Sequence, residues 1–133
     1  MPSYSTTTTT YGQGNQTWRR TDKGLRTAMT VVLEIATFTG GTHYPSGYMP
    51  AGLCLGIITA SGEYGPYDNA AGDGRTVLRG FLLNDEPVTT GQTRIVTAMI
   101  TEGDIVEGRL PTGHGLDANG KTDVGTRFTY VAT

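Results

Sequence analysis

The feature that most limits how this sequence can fold is an uninterrupted apolar run at residues 53–60 (LCLGIITA). Turn-forming residues bound it on both sides, Pro50-Ala51-Gly52 before it and Ser61-Gly62 after it. A short apolar run between two turns is typical of a β-strand that is covered on both faces. A glycine inside the run, Gly56, indicates a bulge in that strand. The chain is therefore expected to build a sheet with side chains packed against both of its surfaces.

Five other segments also read as strands. Residues 28–38 (AMTVVLEIATF) are rich in β-branched side chains and place Met29, Val31, Leu33 and Ile35 on one face at a period of two. The remaining candidates are residues 75–83, 94–101, 105–110 and 126–131, and the Asn119-Gly120 pair before the last predicts a tight type I′ turn. With 20 glycines and only 17% charged residues, the composition favours short strands over long amphipathic helices. We expect a mainly β fold of five or six short strands.

Residues 1–27 differ in composition from the rest of the chain. A run of threonines from Thr6 to Thr10 precedes a segment rich in glycine, asparagine and glutamine, with too few apolar groups to offset the entropy of ordering. Tyr4, Tyr11 and Trp18 are the large side chains within it. The pattern predicts a flexible N-terminal arm suited to strand addition on another surface, followed by a β-rich domain at residues 28–133. A plain disordered tail is the alternative interpretation.

Charge and hydropathy argue against several classes of function. A net charge of −2 gives no general attraction for nucleic acid, and Arg19-Arg20 is the one adjacent basic pair. The first ten residues lack the pattern of a signal peptide, and no apolar stretch is long enough to span a bilayer. The single cysteine, Cys54, lies in the apolar run and is expected to be buried and inert. We therefore expect neither nucleic acid nor membrane as a partner, and synthesis in the cytoplasm.

The sequence contains few groups that could carry out catalysis or hold a metal. The two histidines, His43 and His114, lie in glycine- or proline-rich loops without a second ligand at zinc spacing, so we expect both to face solvent. Residues 117–123 resemble the start of a calcium loop, but Lys121 interrupts them and a hairpin turn is favoured. Asp68 and Asp73 are expected to accept hydrogen bonds from backbone amides of their own loop. These observations predict a protein that is not an enzyme and needs no cofactor.

Residues 48–83 combine several of these elements in a fixed order: a proline-alanine-glycine start, an apolar strand, a turn, a proline-tyrosine-aspartate loop and a second apolar strand marked by a glycine. In that order they resemble the core signature of the lambda-type head decoration protein family of bacteriophages. The residues that carry the resemblance are Pro50, Ala51, Gly52, Gly62, Pro66, Tyr67, Asp68 and Gly80.

The resemblance implies a small domain of the β-clip type that assembles as a trimer. It implies that the trimer stands on three-fold and quasi-three-fold positions of the expanded head, outside the virion, with the major capsid protein as its partner. It also implies an N-terminal arm that becomes ordered on the capsid, for which the candidate contacts are Tyr4, Tyr11, Trp18, Arg19 and Arg20. A glycan- or receptor-binding module is the alternative, with Tyr44, Tyr48, Tyr64 and Tyr67 as an aromatic platform.

Overall fold

The computed structural model describes residues 16–21 and 23–132. The strands in these residues are β1 (Met29–Glu34), β2 (Tyr48–Met49), β3 (Cys54–Ile57), β4 (Tyr64–Pro66), β5 (Gly80–Leu82), β6 (Glu86–Pro87), β7 (Arg94–Ile100), β8 (Gly103–Val106) and β9 (Phe128–Val131). The helices are α1 (Gly40–His43) and α2 (Ala118–Val124), with single 3₁₀ turns at Ile35–Thr37, Glu107–Arg109 and Gly125–Arg127. The prediction of a mainly β fold is confirmed. The β-clip assignment, which came from the resemblance, stays a prediction.

Five of the strands close into a barrel in the order β1-β4-β3-β5-β7, with β7 pairing back onto β1. All neighbours in the barrel are antiparallel except β1 and β4, which are parallel at the pair Leu33 and Tyr64. Two small sheets are attached to it: β2 pairs with β6 in antiparallel fashion, and β8 pairs with β9 in parallel. No helix in the described residues is long and apolar enough to cross a membrane.

The interior of the barrel follows the alternation seen in the sequence. Val31, Leu33 and Ile35 point inward from β1 and the turn after it, as predicted from their period of two. Met29 does not join them, because it lies at the start of the strand and keeps 42% of its surface exposed. We call the eleven residues buried here the barrel core: Val31, Leu33, Ile35, Phe38, Met49, Leu53, Leu55, Tyr64, Leu82, Ile95 and Met99.

One wall of the barrel is covered on its outer face as well. On strands β3, β5 and β7, the side chains of Leu55, Leu82 and Met99 point into the barrel. The side chains of the adjacent residues Cys54, Phe81 and Ile100 point outward. The outward side chains belong to a second buried group, the outer cluster: Trp18, Ala51, Cys54, Tyr67, Leu78, Phe81, Ile100, Ile105, Val124 and Phe128. The prediction that residues 53–60 form a strand covered on both faces is therefore confirmed for β3.

Two expectations about local structure in this region are wrong. Gly56 does not form a bulge, because β3 and β4 pair without interruption and Gly56 lies opposite Gly65. A Cβ atom on Gly56 would lie 2.9 Å from the Cα atom of Arg75, so glycine is needed here for close approach of another backbone segment. Of the predicted strand at residues 75–83, only Gly80–Leu82 is extended in a sheet.

The predicted hairpin turn at Asn119-Gly120 is also wrong, because both residues lie in the helix α2. The Asp117 carboxylate precedes this helix and accepts a hydrogen bond from the Gly120 backbone N–H at 2.8 Å. This is an N-cap interaction, which satisfies an amide that lacks a partner within the first turn. Asp123, at the end of the same stretch, accepts a hydrogen bond from the Leu78 backbone N–H at 3.0 Å.

Candidate functional site

The segment 16–21, at the base of the predicted arm, is joined to β8. The Val106 N–H donates to the Trp18 carbonyl at 2.7 Å, and the Arg20 N–H donates to the Asp104 carbonyl at 2.9 Å. Arg19 and Ile105 are bridge partners in antiparallel register. The segment thus lies along β8 and is joined to it by an isolated antiparallel bridge. Strand addition was predicted for this arm on a foreign surface, whereas these residues pair with the chain's own body.

Trp18 lies in the outer cluster and has no exposed surface. Its ring stacks on Phe81 with a centroid distance of 6.0 Å, and Phe81 in turn meets the edge of Phe128 at 4.9 Å. The structure thus places the side chain of Trp18, a predicted capsid contact, in the chain's own core. Residues 16–21 precede the boundary predicted at residue 27 and are paired with the body of the chain. Tyr4 and Tyr11, the other aromatic residues of the arm, lie outside the described residues.

Arg19 and Arg20 do reach the surface. They line a cleft of about 350 Å³ together with Thr17, Val106, Arg109 and Val131. The Arg19 Nε–H donates to the Gln16 side-chain oxygen at 2.8 Å, and the Arg19 guanidinium lies 5.9 Å from the centre of the Trp18 ring. Arg109 comes from the 3₁₀ turn after β8. Arg109 was not among the predicted site residues, because nothing in the sequence around it indicates that it would lie beside Arg19 and Arg20, ninety positions earlier.

Asp104 is an acidic residue close to these arginines. Its carboxylate accepts hydrogen bonds from the hydroxyls of Thr129 and Thr21, the second at 3.0 Å. These two bonds are the main reason that its pKa lies below the ordinary value, with smaller contributions from nearby Lys23 and Arg20. Asp104 therefore stays ionised, with its carboxylate held by two hydroxyls.

The two histidines have structural partners. His43 Nδ1 accepts the Thr39 backbone N–H at 2.8 Å, and His114 Nδ1 accepts the Leu116 backbone N–H at 2.8 Å. Both rings are partly buried, against the expectation that they face solvent, and burial lowers the pKa of each. No group of three or more His, Cys, Asp or Glu in the described part of the chain is arranged to hold a metal ion.

The residues that carry the family resemblance hold structural positions around β3, β4 and β5. The Ala51 N–H donates to the Asp85 carboxylate at 2.6 Å, and Gly52 has a φ of 102° in a position where a Cβ atom would lie 2.7 Å from the ring of Pro111. The Tyr67 hydroxyl donates to Asp117 at 2.7 Å. Gly62 has a positive φ in the turn between β3 and β4, Pro66 is the last residue of β4, and Pro50 lies between β2 and β3.

The loop carboxylates behave as predicted. Asp68 accepts the Ala70 backbone N–H at 2.9 Å, and Asp73 accepts the Arg75 backbone N–H at 3.3 Å while pairing with the guanidinium of the same residue at 3.0 Å. Cys54 is buried as predicted, and burial raises the pKa of its thiol.

The aromatic platform proposed for glycan binding is not assembled as a set of four. Tyr64 belongs to the barrel core and Tyr67 to the outer cluster, with only 8% and 5% of their surfaces exposed. Tyr44 and Tyr48 are partly exposed and line different clefts. A stacking surface for a sugar needs exposed ring faces next to each other, which two buried rings cannot supply. No protein-family model matches this chain, and no curated protein matches it either.

Proposed function

We propose that this chain is a phage capsid decoration protein, which binds the outer surface of the expanded head as a trimer at three-fold and quasi-three-fold positions and stabilises it. The observation that carries the proposal is the family resemblance of residues 48–83. This stretch contributes three neighbouring strands of the barrel, β4, β3 and β5, together with the turns between them. The matching residues are thus those that a shared fold would require.

The position of the N-terminal segment supports the same function. Residues 1–15 are polar and threonine-rich, and the chain directly after them is fixed by the pairing of residues 18 and 20 with β8. Fifteen extended residues can span about 50 Å. We call residues 1–15 the leader. With such a reach from the folded body, the leader can add a strand to an exposed sheet edge of the major capsid protein, gaining about 0.5–1.5 kcal/mol for each backbone hydrogen bond.

Trimer formation would make these individual contacts durable. One leader alone binds weakly because ordering it costs conformational entropy. Once the first leader of a trimer has docked, the other two bind at high effective concentration, which raises avidity by about 10²- to 10⁴-fold. Since a ligand stabilises the state that it prefers, a trimer that matches the expanded shell opposes its rupture by packed DNA.

The test is binding to undecorated expanded heads of the phage that carries the protein, measured by co-sedimentation. The full chain should bind, and a chain without residues 1–15 should lose at least about 100-fold in affinity while keeping its circular dichroism spectrum. A control in which Gly-Ser repeats of equal length replace residues 1–15 should fail in the same way. Failure of the full chain to bind heads would overturn the proposed function, and full binding by the truncated chain would overturn the role of the leader.

Light scattering tests the trimer separately. Three chains of 14.1 kDa give 3 × 14.1, or about 42 kDa. A mass of one chain at concentrations used for head binding would contradict assembly before docking.

A further inference from the structure

We propose that the cleft lined by Arg19, Arg20 and Arg109 is a docking site for an acidic segment of the shell protein. The proposal deepens the proposed function and rests on it for the identity of the partner. It adds a second point of contact on the folded body, next to the place where the leader begins. The chemistry of the cleft is the reason to expect it.

The three guanidinium groups come from two parts of the chain; the fold holds the side chain of Arg19 and the backbones at Arg20 and Arg109. Arg19 is oriented by its hydrogen bond to Gln16 and by its position against the Trp18 ring. The backbone N–H of Arg20 donates to the Asp104 carbonyl, and in the turn that carries Arg109 the Gly108 N–H donates to the carbonyl of Ala132, just after β9, at 3.1 Å. Arginines that are already positioned lose less entropy when they bind an oxyanion.

Positive charge is in excess at this site although the whole chain carries a net charge of −2. The ion pairs found in the described part of the chain join Arg75 to Asp73, Arg94 to Glu63 and Lys121 to Glu107. None of the three cleft arginines takes part in them. Of the two nearby acids, Glu107 pairs with Lys121 at 2.5 Å, and the ionised Asp104 offsets one of the three positive charges of the cleft. The cleft is therefore electrostatically complementary to an anionic partner.

The shape and lining of the cleft favour a polypeptide over a free ion. Val106 and Val131, which are partners in the β8–β9 ladder, provide apolar surface between the arginines. A volume of about 350 Å³ lies in the range of sites that hold groups of many atoms. An extended segment in which every second residue is acidic presents its carboxylates on one face, where they can form bidentate hydrogen bonds with the guanidinium forks of the cleft.

The experiment uses a blocked peptide, acetyl-(Glu-Val)₃-amide, carrying a fluorescent label, and measures its anisotropy with the full-length protein at low salt. The matched control peptide carries Gln in place of each Glu. The test variant is Arg20→Gln/Arg109→Gln, which leaves Arg19 in place because that side chain packs on Trp18. The control variant is Arg26→Gln/Arg79→Gln, which removes the same charge from exposed positions outside the cleft lining.

We expect the acidic peptide to bind the wild type and the Gln peptide to bind at least about tenfold more weakly. The test variant should lose at least about tenfold in affinity for the acidic peptide, and the control variant less than about twofold. Equal losses in both variants would overturn the proposal, because they would show attraction to net charge alone. Competition by inorganic phosphate at the concentration of the peptide would also overturn it, because the site would then take a free oxyanion.

Binding of the same two variants to undecorated heads separates this inference from the proposed function. If heads bind the wild type and the test variant equally well, the cleft is no shell contact and the inference fails while the decoration function stands. If the wild type binds the peptide but not the heads, the proposed function fails although the cleft has the chemistry inferred for it. A chain without residues 1–15 should keep its affinity for the peptide, since the cleft is built from residues after that point.

Discussion

The barrel core and the outer cluster lie on opposite faces of the same wall, yet they are built in different ways. The barrel core is supplied by residues between 31 and 99, and its members on β1 and β7 alternate along each strand. The outer cluster joins Trp18 from the N-terminal segment to Val124 and Phe128 near the other end of the chain. The barrel core is enclosed by a continuous ring of paired strands, whereas the outer cluster is enclosed by side chains from segments that are far apart in the sequence.

The two regions also differ in how well their polar atoms are satisfied. Thr97, the buried polar residue facing the barrel core, donates its hydroxyl proton to Glu86 at 2.7 Å. Within residues 16–21 and 23–132, the buried side-chain atoms without a hydrogen-bond partner are the Trp18 Nε1 atom and the Tyr130 hydroxyl, in and beside the outer cluster. An unpaired buried polar atom costs free energy. The comparison indicates that stability on the outer side depends on aromatic packing, with Trp18 as the residue that ties the N-terminal segment to the body.

The largest effect is expected for Trp18→Ala. Removing a fully buried indole should lower the free energy of unfolding by about 3–5 kcal/mol, as much as Leu55→Ala in the barrel core at about 2–5 kcal/mol. Urea denaturation followed by circular dichroism measures both values. Deleting residues 1–20 should destabilise the fold to a similar extent, whereas deleting residues 1–15 should not.

Cys54 reports on the same variant, since its thiol is buried in the outer cluster. Trp18→Ala should speed its reaction with a thiol reagent under native conditions more than an equally destabilising barrel variant does. If Trp18→Ala costs under about 1 kcal/mol, the outer cluster is not a main source of stability and the comparison fails.

The second prediction concerns the wall that both regions share. A Cβ atom on Gly80 would lie 2.2 Å from the Ile100 carbonyl oxygen, so Gly80→Ala should push β5 away from β7 and cost about 1–3 kcal/mol. Gly72→Ala is the matched control, because its Cβ atom would meet nothing within 4 Å. Thermal unfolding compares the two variants. Equal unfolding midpoints would show that the barrel tolerates a wider spacing between β5 and β7.

The third prediction concerns the helix that covers the outer cluster. Asp117 caps α2 and also accepts the Tyr67 hydroxyl proton, so Asp117→Ala should cost about 1–2 kcal/mol. Tyr67→Phe removes only the second bond and should cost less. Chemical denaturation of the two single variants and the double variant gives the coupling between the residues. A loss on Tyr67→Phe as large as that on Asp117→Ala would contradict the capping role.

The smallest effect is expected at Tyr130, whose hydroxyl is buried without a partner. At pH 7 Tyr130→Phe should change the free energy of unfolding by less than about 1 kcal/mol, because no hydrogen bond is lost. Burial is the main cause that raises the pKa of Tyr130 to about 12 in the folded state. The ordinary value of about 10 holds in the unfolded chain.

The raised pKa sets the sign of the pH dependence. The neutral phenol stabilises the fold fully below about pH 10, and this stability is lost as the pH rises from about 10 to 12, since only the unfolded chain ionises there. Denaturation at pH 8, 10 and 11 should therefore show a shallower alkaline loss for Tyr130→Phe than for wild type. Tyr48→Phe, outside the cluster, serves as control. Identical slopes for wild type and Tyr130→Phe would contradict burial of this hydroxyl.

The local sequence pattern predicted the residues of the barrel core correctly, but it predicted only part of the candidate site. The alternation of Val31, Leu33 and Ile35 and the apolar run around Leu55 identified inward-facing side chains correctly, because each strand has one side-chain period whatever its partner is. The Asn119-Gly120 pair misled, because the same dipeptide fits the first turn of a helix once Asp117 caps it. The arginine cleft could be found only in part, since Arg109 reaches Arg19 and Arg20 through the pairing of β8 with the N-terminal segment.

The sequence alone determined that the chain would be mainly β, that the apolar run would be covered on both faces and that Cys54 would be buried. These properties depend on the composition and periodicity of neighbouring residues. Only the tertiary structure decided that β1 and β4 are parallel, that Trp18 belongs to the chain's own core and that three arginines share one cleft. Each of those is a pairing between segments far apart in the chain, and such pairings are chosen by the packing of the whole fold.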